Sequence, residues 1–398
     1  MSPLSPIQST EELPREDPRR VRLPLDPLLA LAVIGLGVCS VLTLRVASRN
    51  LVPGNPSYYT TRQAIYLAIG VVVMLALSRF DYSRLRRLKV PIYAALILSI
   101  LAVLGAGHSS NGAQRAISLP FFSFQASELG KVLLILALSA LLVERSRRIR
   151  ERDTTARLML AALIPAMFVI AQPDLGSGLV YMVIAYMLLI VAGTSWRHLA
   201  ALAALVAVAT AFVLVAAPAL GVNVLKPWQV ERITAFLHPS SDPQHKGAYQ
   251  LLESKIAIGS GQKTGVSGGG GQIADGYVPE GDTDFVFAAV GEQYGFLGAA
   301  IVLLLYGLLL WRTLRILVMA KDLFGSLIAA GVAAMLMFQV FVNVGMTIGI
   351  MPITGVTLPL MSYGGSSVIA ILLAVGLLQS IYVQARASAA SKGRLPRY

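Results

Sequence analysis

Asp284 stands directly before Phe285, Val286 and Phe287, at the lip of a long apolar run. A carboxylate at that depth can meet the head group of a lipid-linked substrate and accept its proton as a general base. Two further acids, Glu280 and Asp282, lie just before it. They suit a helix N-terminus, where negative charge complements the macrodipole, and Asp282 is expected to be solvated. Glu292, one to two turns further in, is expected to hydrogen-bond between helices.

A second group is Gln125, Ser127, Glu128 and Lys131, at the start of another apolar run. Glu128 and Lys131 are three apart and share a helix face. Ionisable groups at such depth are costly, and they line a cavity or pair with each other. Both readings stand: a structural ion pair with Ser127 capping the helix, or part of a polar site. Asp174 lies in Gln172-Pro-Asp-Leu-Gly-Ser177, which is good turn chemistry. Its other reading is a carboxylate paired with Lys131 or Arg115. Arg115 taken alone is an ordinary loop charge.

Met351 to Pro359 and Ser362 to Ser367 precede the last apolar run with two prolines and three glycines. They form a re-entrant segment lining a protein cavity, or a surface loop. His108, His198, His238 and His245 show no metal spacing, so no dedicated zinc site is expected. Cys39 is the only cysteine, which excludes an intrachain disulfide.

The elements that must position these residues follow from composition. The 398 residues are 56% hydrophobic and 13% charged, with mean hydropathy +0.70. A soluble domain carries about 25% charged residues. An all-α polytopic membrane protein is therefore expected, and a soluble enzyme, a disordered chain and a disulfide scaffold are excluded. Spans of about 20 apolar residues are read at 24–45, 63–79, 89–107, 127–143, 157–172, 175–193, 198–219, 285–314, 322–348 and 366–385. The pair 157–172 and 175–193 reads as two helices turning at the surface, with one kinked helix as the alternative. A membrane domain of about ten helices over 24–385 thus lies between tails 1–23 and 386–398. The loop 220–284, between helices 7 and 8, is its one large insertion. Within it, 249–258 is expected to form a short amphipathic helix at the interface. The glycines at 268–271 permit backbone N–H groups to approach a phosphate, or simply make a flexible loop.

Placing residues 1–23 in the cytoplasm puts 23 Lys and Arg on that side and 9 on the other. This is the positive-inside pattern, possible attraction to anionic lipid included. The net charge of +13 therefore marks topology and gives no support to nucleic-acid binding. The polar, Gly- and Pro-rich segments all fall on the opposite side, so chemistry should face outward from the cytoplasm.

Four pieces of the sequence resemble the shape, elongation, division and sporulation family, which includes RodA and FtsW. They are Gln125-Ala-Ser-Glu-Leu-Gly-Lys131, Gln172-Pro-Asp-Leu-Gly-Ser177, Thr283-Asp-Phe-Val-Phe287 with Gly291-Glu292, and Thr354-Gly-Val-Thr-Leu-Pro359 with Ser362-Tyr-Gly-Gly-Ser-Ser367. All four occur in order across about residues 25–386. The resemblance implies a peptidoglycan glycosyltransferase that polymerises lipid II, the undecaprenyl-pyrophosphate-linked disaccharide-pentapeptide. It makes Asp284 the catalytic acid and Glu128 and Lys131 the cavity pair. A class B penicillin-binding transpeptidase is the implied partner, and a divalent cation, magnesium or manganese, the implied cofactor. The substrate-binding candidates are then Arg62, Arg115, Glu128, Lys131, Asp174 and Ser362, with Arg62, Arg115 and Lys131 placed to offset pyrophosphate charge. Ala126 stands where the family usually has Pro, Ala116 where Trp is common, and Gly281-Asp282 where Ala-His is usual. The stretch from Asp242 to Ser254 looks nearer the elongation branch than the division branch. A flippase or transporter of lipid-linked precursors is the reading of another class; it should place polar groups near the midplane on broken helices.

The orientation is tested by cysteine labelling on a Cys39-free background. Both termini and loops 79–89 and 145–157 should label from the cytoplasm, and 220–284 only from outside. Labelling of 220–284 from the cytoplasm alone would overturn the orientation.

Overall fold

Hydrocarbon leaves backbone groups no outside partner, so long apolar stretches become helices. The computed structural model describes residues 25–106, 108–110, 113–118, 122–213, 217–220, 229–230, 232, 236, 246–266, 271–273 and 275–391. The tail 1–23 and the glycines at 268–270 lie outside the described residues. The principal helices are α1 (Pro27–Ala47), α2 (Tyr58–Ser78), α3 (Lys89–Ala106), α4 (Ala126–Glu144), α5 (Arg152–Ala171), α6 (Leu175–Ala192), α7 (Trp196–Ala211), α8 (Lys246–Ser260), α9 (Val286–Met319), α10 (Leu323–Ile348) and α11 (Gly365–Ser391).

Among the described residues nine helices are long and apolar enough to cross a membrane, and α7 is a shorter apolar helix. Its 16 residues cover about 24 Å at 1.5 Å each, short of the roughly 30 Å hydrocarbon core. The pair α5 and α6 is two helices folded together at Gln172-Pro173: a side chain on Gly178 would meet Ile170 and the Ala166 carbonyl. The last helix runs past residue 385 to Ser391, into the segment read as a tail.

The chain departs from a purely helical fold between α3 and α4. Strands β1 (His108–Ser110), β2 (Ala113–Ser118) and β3 (Ser123–Phe124) form an antiparallel ribbon. The sequence between β1 and β2 is Asn111-Gly112, a dipeptide that favours tight hairpins.

Helices α4, α10 and α11 form the centre, with more than 70% of each apolar window buried; α2, α3 and α9 bury less than a quarter. Small residues let the backbones close in. Alanine at Gly70 would strike Leu372, and at Gly376 it would strike the Met74 backbone, so α2 lies directly on α11. At the end opposite Asp284, Asp26 caps α1 and accepts a hydrogen bond from Arg312 Nε of α9 at 2.9 Å. Gln379 of α11 holds the Asp26 backbone there.

The run read as one span at 285–314 is not one regular helix. It breaks at Gly295 (φ 62°, ψ −159°). A break frees N–H donors, and the turn after α8 supplies acceptors: Phe296 N donates to Gln262 O at 2.9 Å and Leu297 N to Lys263 O at 3.1 Å. Val266 N donates to Glu292 O at 2.9 Å. Glu292 does not bridge helices as expected. Its carboxylate accepts from the backbone N–H groups of Gln272 and Ile273 at 2.6 and 3.0 Å, so the chain's own anion fills that part of the glycine-rich loop. Helix α8 is the one expected at 249–258, lengthened at both ends. It is clamped rather than merely interfacial: Leu251 and Ala257 share a small core with Phe285, Ala288 and Met346.

Only glycine readily adopts the backbone at 295, and any Cβ there would lie 2.5 Å from the Thr264 and Gly265 nitrogens. Gly295→Ala should therefore lower stability by at least about 1–3 kcal/mol, read as a lower thermal midpoint in detergent. An unchanged midpoint would mean that the break is not needed.

Candidate active site

Residues 350–364 connect α10 to α11 without helix, yet Ile353, Val356, Leu358, Leu360 and Met361 are buried. Buried backbone must find partners, and here side chains on four helices provide them. Asn343 Nδ2 of α10 donates to Val356 O at 2.7 Å, and Tyr306 of α9 donates to Pro359 O at 2.5 Å. Ser40 Oγ of α1 donates to Met361 O at 2.9 Å, and Gln63 Nε2 of α2 to Ser362 O at 3.2 Å. Of the two readings of this segment, the buried one describes the structure; it is not a surface loop.

The same side chains hold the loop that carries Asp284. Asn343 Nδ2 also donates to Asp284 O at 2.8 Å. Ser362 Oγ donates to Thr283 O at 2.6 Å while accepting from Leu358 N at 2.8 Å, and Tyr363 N donates to Asp282 O at 2.9 Å. Ser362 is buried with its hydroxyl so engaged, so it acts on the position of Asp284. The Asp284 carboxylate itself lies against Gly355 (φ 71°): Oδ2 is 3.3 Å, and Arg232 Nη1 3.6 Å, from where a Cβ on that glycine would sit. Acid, guanidinium and a bare stretch of backbone thus converge at the N-terminal lip of α9.

Asp282 is not the solvated acid it was expected to be. The loop partly covers it, and burial, with Glu280 adding repulsion, pushes its carboxyl above the usual range. Tyr59 stands near it and packs edge-on to Tyr363, 4.7 Å between ring centres. Arg62 lies over the Tyr58 ring at 4.4 Å. Four tyrosines (58, 59, 66 and 363) and one arginine therefore rim the site on the α2 side.

Glu128 and Lys131 are both buried and joined at 2.6 Å, while Glu128 Oε2 has no hydrogen-bond partner among the described residues. Asp174 pairs with neither Lys131 nor any other described cation. It caps α6 by accepting from Ser177 N at 3.0 Å, and its second oxygen accepts from Ser127 Oγ at 2.9 Å and Gln125 Nε2 at 3.4 Å. A helix N-terminus offers a carboxylate free donors, and these win over a lysine already matched to Glu128. Ser127 lies inside the first turn of α4, whose N-cap is Gln125, and it bridges α4 to α6 instead of capping α4. The Arg115 side chain lies outside the described residues.

Reading the sequence by motif missed Arg232, Asn343, Gln63, Ser40 and the tyrosines. Asn343 and Gln63 carried the best available signal, a polar amide within an apolar helix. Among the described residues no three His, Cys, Asp or Glu side chains gather as a metal site.

A bundle of membrane helices wrapped around a buried non-helical segment, with an acid at one end, defines a class of polytopic membrane protein. A family model for cell cycle proteins of the FtsW/RodA/SpoVE type matches residues 24–387, and the chain belongs to this family. It is 36% identical to a probable peptidoglycan glycosyltransferase FtsW of Thioalkalivibrio sulfidiphilus, covering 94% of each chain. It is 32% identical to the peptidoglycan glycosyltransferase RodA of Treponema pallidum, covering 89% of this chain and 97% of that one. Among solved structures, a chain of a peptidoglycan synthase complex aligns with TM-score 0.76 and 33% identity over 91% of this chain and 99% of that one. The RodA of Thermus thermophilus aligns with TM-score 0.64 and 30% identity, over 92% and 98%.

Lys131→Met leaves Glu128 as an uncompensated buried charge, which should cost about 3–5 kcal/mol. Adding Glu128→Gln should recover most of that loss. Thermal unfolding of the two variants in detergent checks it; equal stability of parent and Lys131→Met would show that the pair contributes little.

Proposed function

We propose that this chain is a peptidoglycan glycosyltransferase that polymerises lipid II on the outer face of the bacterial cytoplasmic membrane. The observation that carries the reading is Asp284, an acid beside Arg232 at the end of the bundle where the polar elements gather. The names of the relatives support the reaction class.

The chemistry follows from the bonds. An α-linked glycosyl pyrophosphate that becomes a β-1,4 link inverts at the anomeric carbon. Direct displacement needs one base for the acceptor hydroxyl proton, not a nucleophilic carboxylate pair, by analogy with inverting hydrolases. Asp284 takes that proton as the oxygen attacks the anomeric carbon, and the pyrophosphate leaves with the bonding electrons. Charge developing on the leaving group calls for fixed positive charge. Arg232 and Arg62 border the site, with Arg115 a further candidate, whereas Lys131 is neutralised by Glu128. Glu128, Lys131, Asp174 and Ser362 then serve the substrate by holding α4, α6 and the 350–364 segment in register.

A magnesium or manganese ion remains a proposal from family likeness. With no three-ligand cluster among the described residues, such an ion would sit on pyrophosphate oxygens with one or two carboxylates of the chain, as magnesium commonly does. It would supply charge neutralisation. A class B penicillin-binding transpeptidase is the proposed partner, and the match to a synthase complex supports it. The Asp242-to-Ser254 sequence favours cell elongation over division. The Lys and Arg bias supports a cytoplasmic location for both termini.

One feature favours a lipid-precursor flippase, the broken helix α9, since discontinuous helices are common in transporters. The turn 262–266 fills that break, which leaves the enzyme the better reading.

The experiment is glycan polymerisation from lipid II by the purified chain, with and without the presumed transpeptidase. Asp284→Asn keeps shape and removes the base, so the rate should fall about 10²–10⁴-fold. Polymer formed at the parent rate would reduce Asp284 to a helix-terminal charge.

A further inference from the structure

Two adjoining cavities lie at the end of the bundle opposite Asp284, and the reaction uses neither. The first is polar, about 750 Å³, and is lined by Arg86, Arg87, Lys89, Glu144 and Asp322. The second is an apolar groove of about 400 Å³ between α3, α4 and α5, lined by Val90, Tyr93, Ala94, Leu138, Leu141 and Ala161. Lys89 lines both. Each volume is in the range of small-molecule sites, roughly 300–1,000 Å³.

The charges of the polar cavity are unequally committed. Lys89 is paired with Glu144. Asp322 caps α10 through Gly325 N at 2.8 Å and accepts from Tyr82 at 3.0 Å. Arg86 and Arg87 are exposed and form no ion pair with another described residue. Arg86 also acts on Glu144, though at longer range than Lys89 does, so two guanidinium groups outside any close ion pair face a roomy cavity, and the apolar groove beside α3 meets that cavity at Lys89. The floor of that groove is tied down, since Tyr93 donates to Ala161 O at 3.0 Å.

We propose that this pair of cavities binds one anionic phospholipid, its phosphate between Arg86 and Arg87 and an acyl chain in the α3–α4–α5 groove. The charge selects an anionic head group, and the groove selects a lipid over a free anion. Arginine suits the role because its planar fork matches phosphate oxygens. Basic pockets between membrane helices hold lipid head groups in this way. The proposal rests on neither the reaction nor the orientation; it concerns whichever leaflet meets this end.

The test is native mass spectrometry of the full chain in neutral detergent. It is titrated with palmitoyl-oleoyl phosphatidylglycerol or with phosphatidylcholine of the same chains. The anionic lipid should be retained at a concentration on the order of tenfold lower. Arg86→Gln with Arg87→Gln should abolish that preference, and Ala94→Trp, which fills the groove from the exposed side, should weaken retention of both lipids. The preference of the parent should also shrink as salt is raised, a readout that needs no variant. Equal retention of the two lipids by the parent would overturn the proposal. So would a preference that survives loss of both arginines, or displacement of the lipid by inorganic phosphate at matched concentration.

Discussion

Inside a bilayer each unsatisfied peptide group costs several kcal/mol, and residues 350–364 place non-helical backbone in the middle of an apolar bundle. Everything at the Asp284 end of this protein answers to that constraint. Ser40, Gln63, Tyr306 and Asn343 come from four different helices and satisfy carbonyls of one segment. Each net hydrogen bond is worth only about 0.5–1.5 kcal/mol, but leaving a buried group unmade costs about 1–3 kcal/mol. The segment is thereby fixed in one arrangement, and two of its contacts, through Asn343 and Ser362, are shared with the loop of Asp284. The acid inherits its position from a structure that the membrane itself enforces.

A second consequence is the separation of roles between the ends of the bundle. Polar interior groups that can do chemistry collect near Asp284, at the end of the bundle where α4 and α6 begin and α10 stops. The opposite end carries basic loops, the Asp26–Arg312 tie and the paired cavities beside Arg86 and Arg87. A peptidoglycan glycosyltransferase has reason for this polarity, since its substrate's sugar and pyrophosphate lie at one face while the other end needs only to sit stably in its leaflet.

Much of this was legible in the residues. The apolar runs located the helices, the three-residue spacing of Glu128 and Lys131 announced their pairing, and the prolines and glycines of 351–367 marked a segment unable to continue as helix. The break at Gly295 was not legible: Glu292 and Gln293 interrupt the apolar run just before it, but hydropathy does not register one glycine at positive φ. Asp174 carried two readings, a turn residue and a partner of Lys131 or Arg115, and the sequence could not choose between them because the helix N-terminus that it caps exists only once α6 has formed. Arg232 was invisible as a site residue for a simpler reason: some fifty residues separate it from Asp284, and only the folded loop brings them to Gly355. Asn111-Gly112 was a readable hairpin signal, but the short polar stretch around it, His108 to Arg115, reads equally well as plain loop.

The central claim is that the buried segment acts on catalysis through the position of Asp284. A double-mutant cycle between Asn343→Leu and Asp284→Asn, scored as lipid II polymerisation at matched amounts of folded protein, tests it most directly. Asn343→Leu alone should lower kcat on the order of 10²-fold, the scale of an ångström's misplacement, with little change in KM. In the Asp284→Asn background it should cost almost nothing more, because groups that act as a unit are not additive. A parent-like rate for Asn343→Leu, or an equal loss in both backgrounds, would contradict the account.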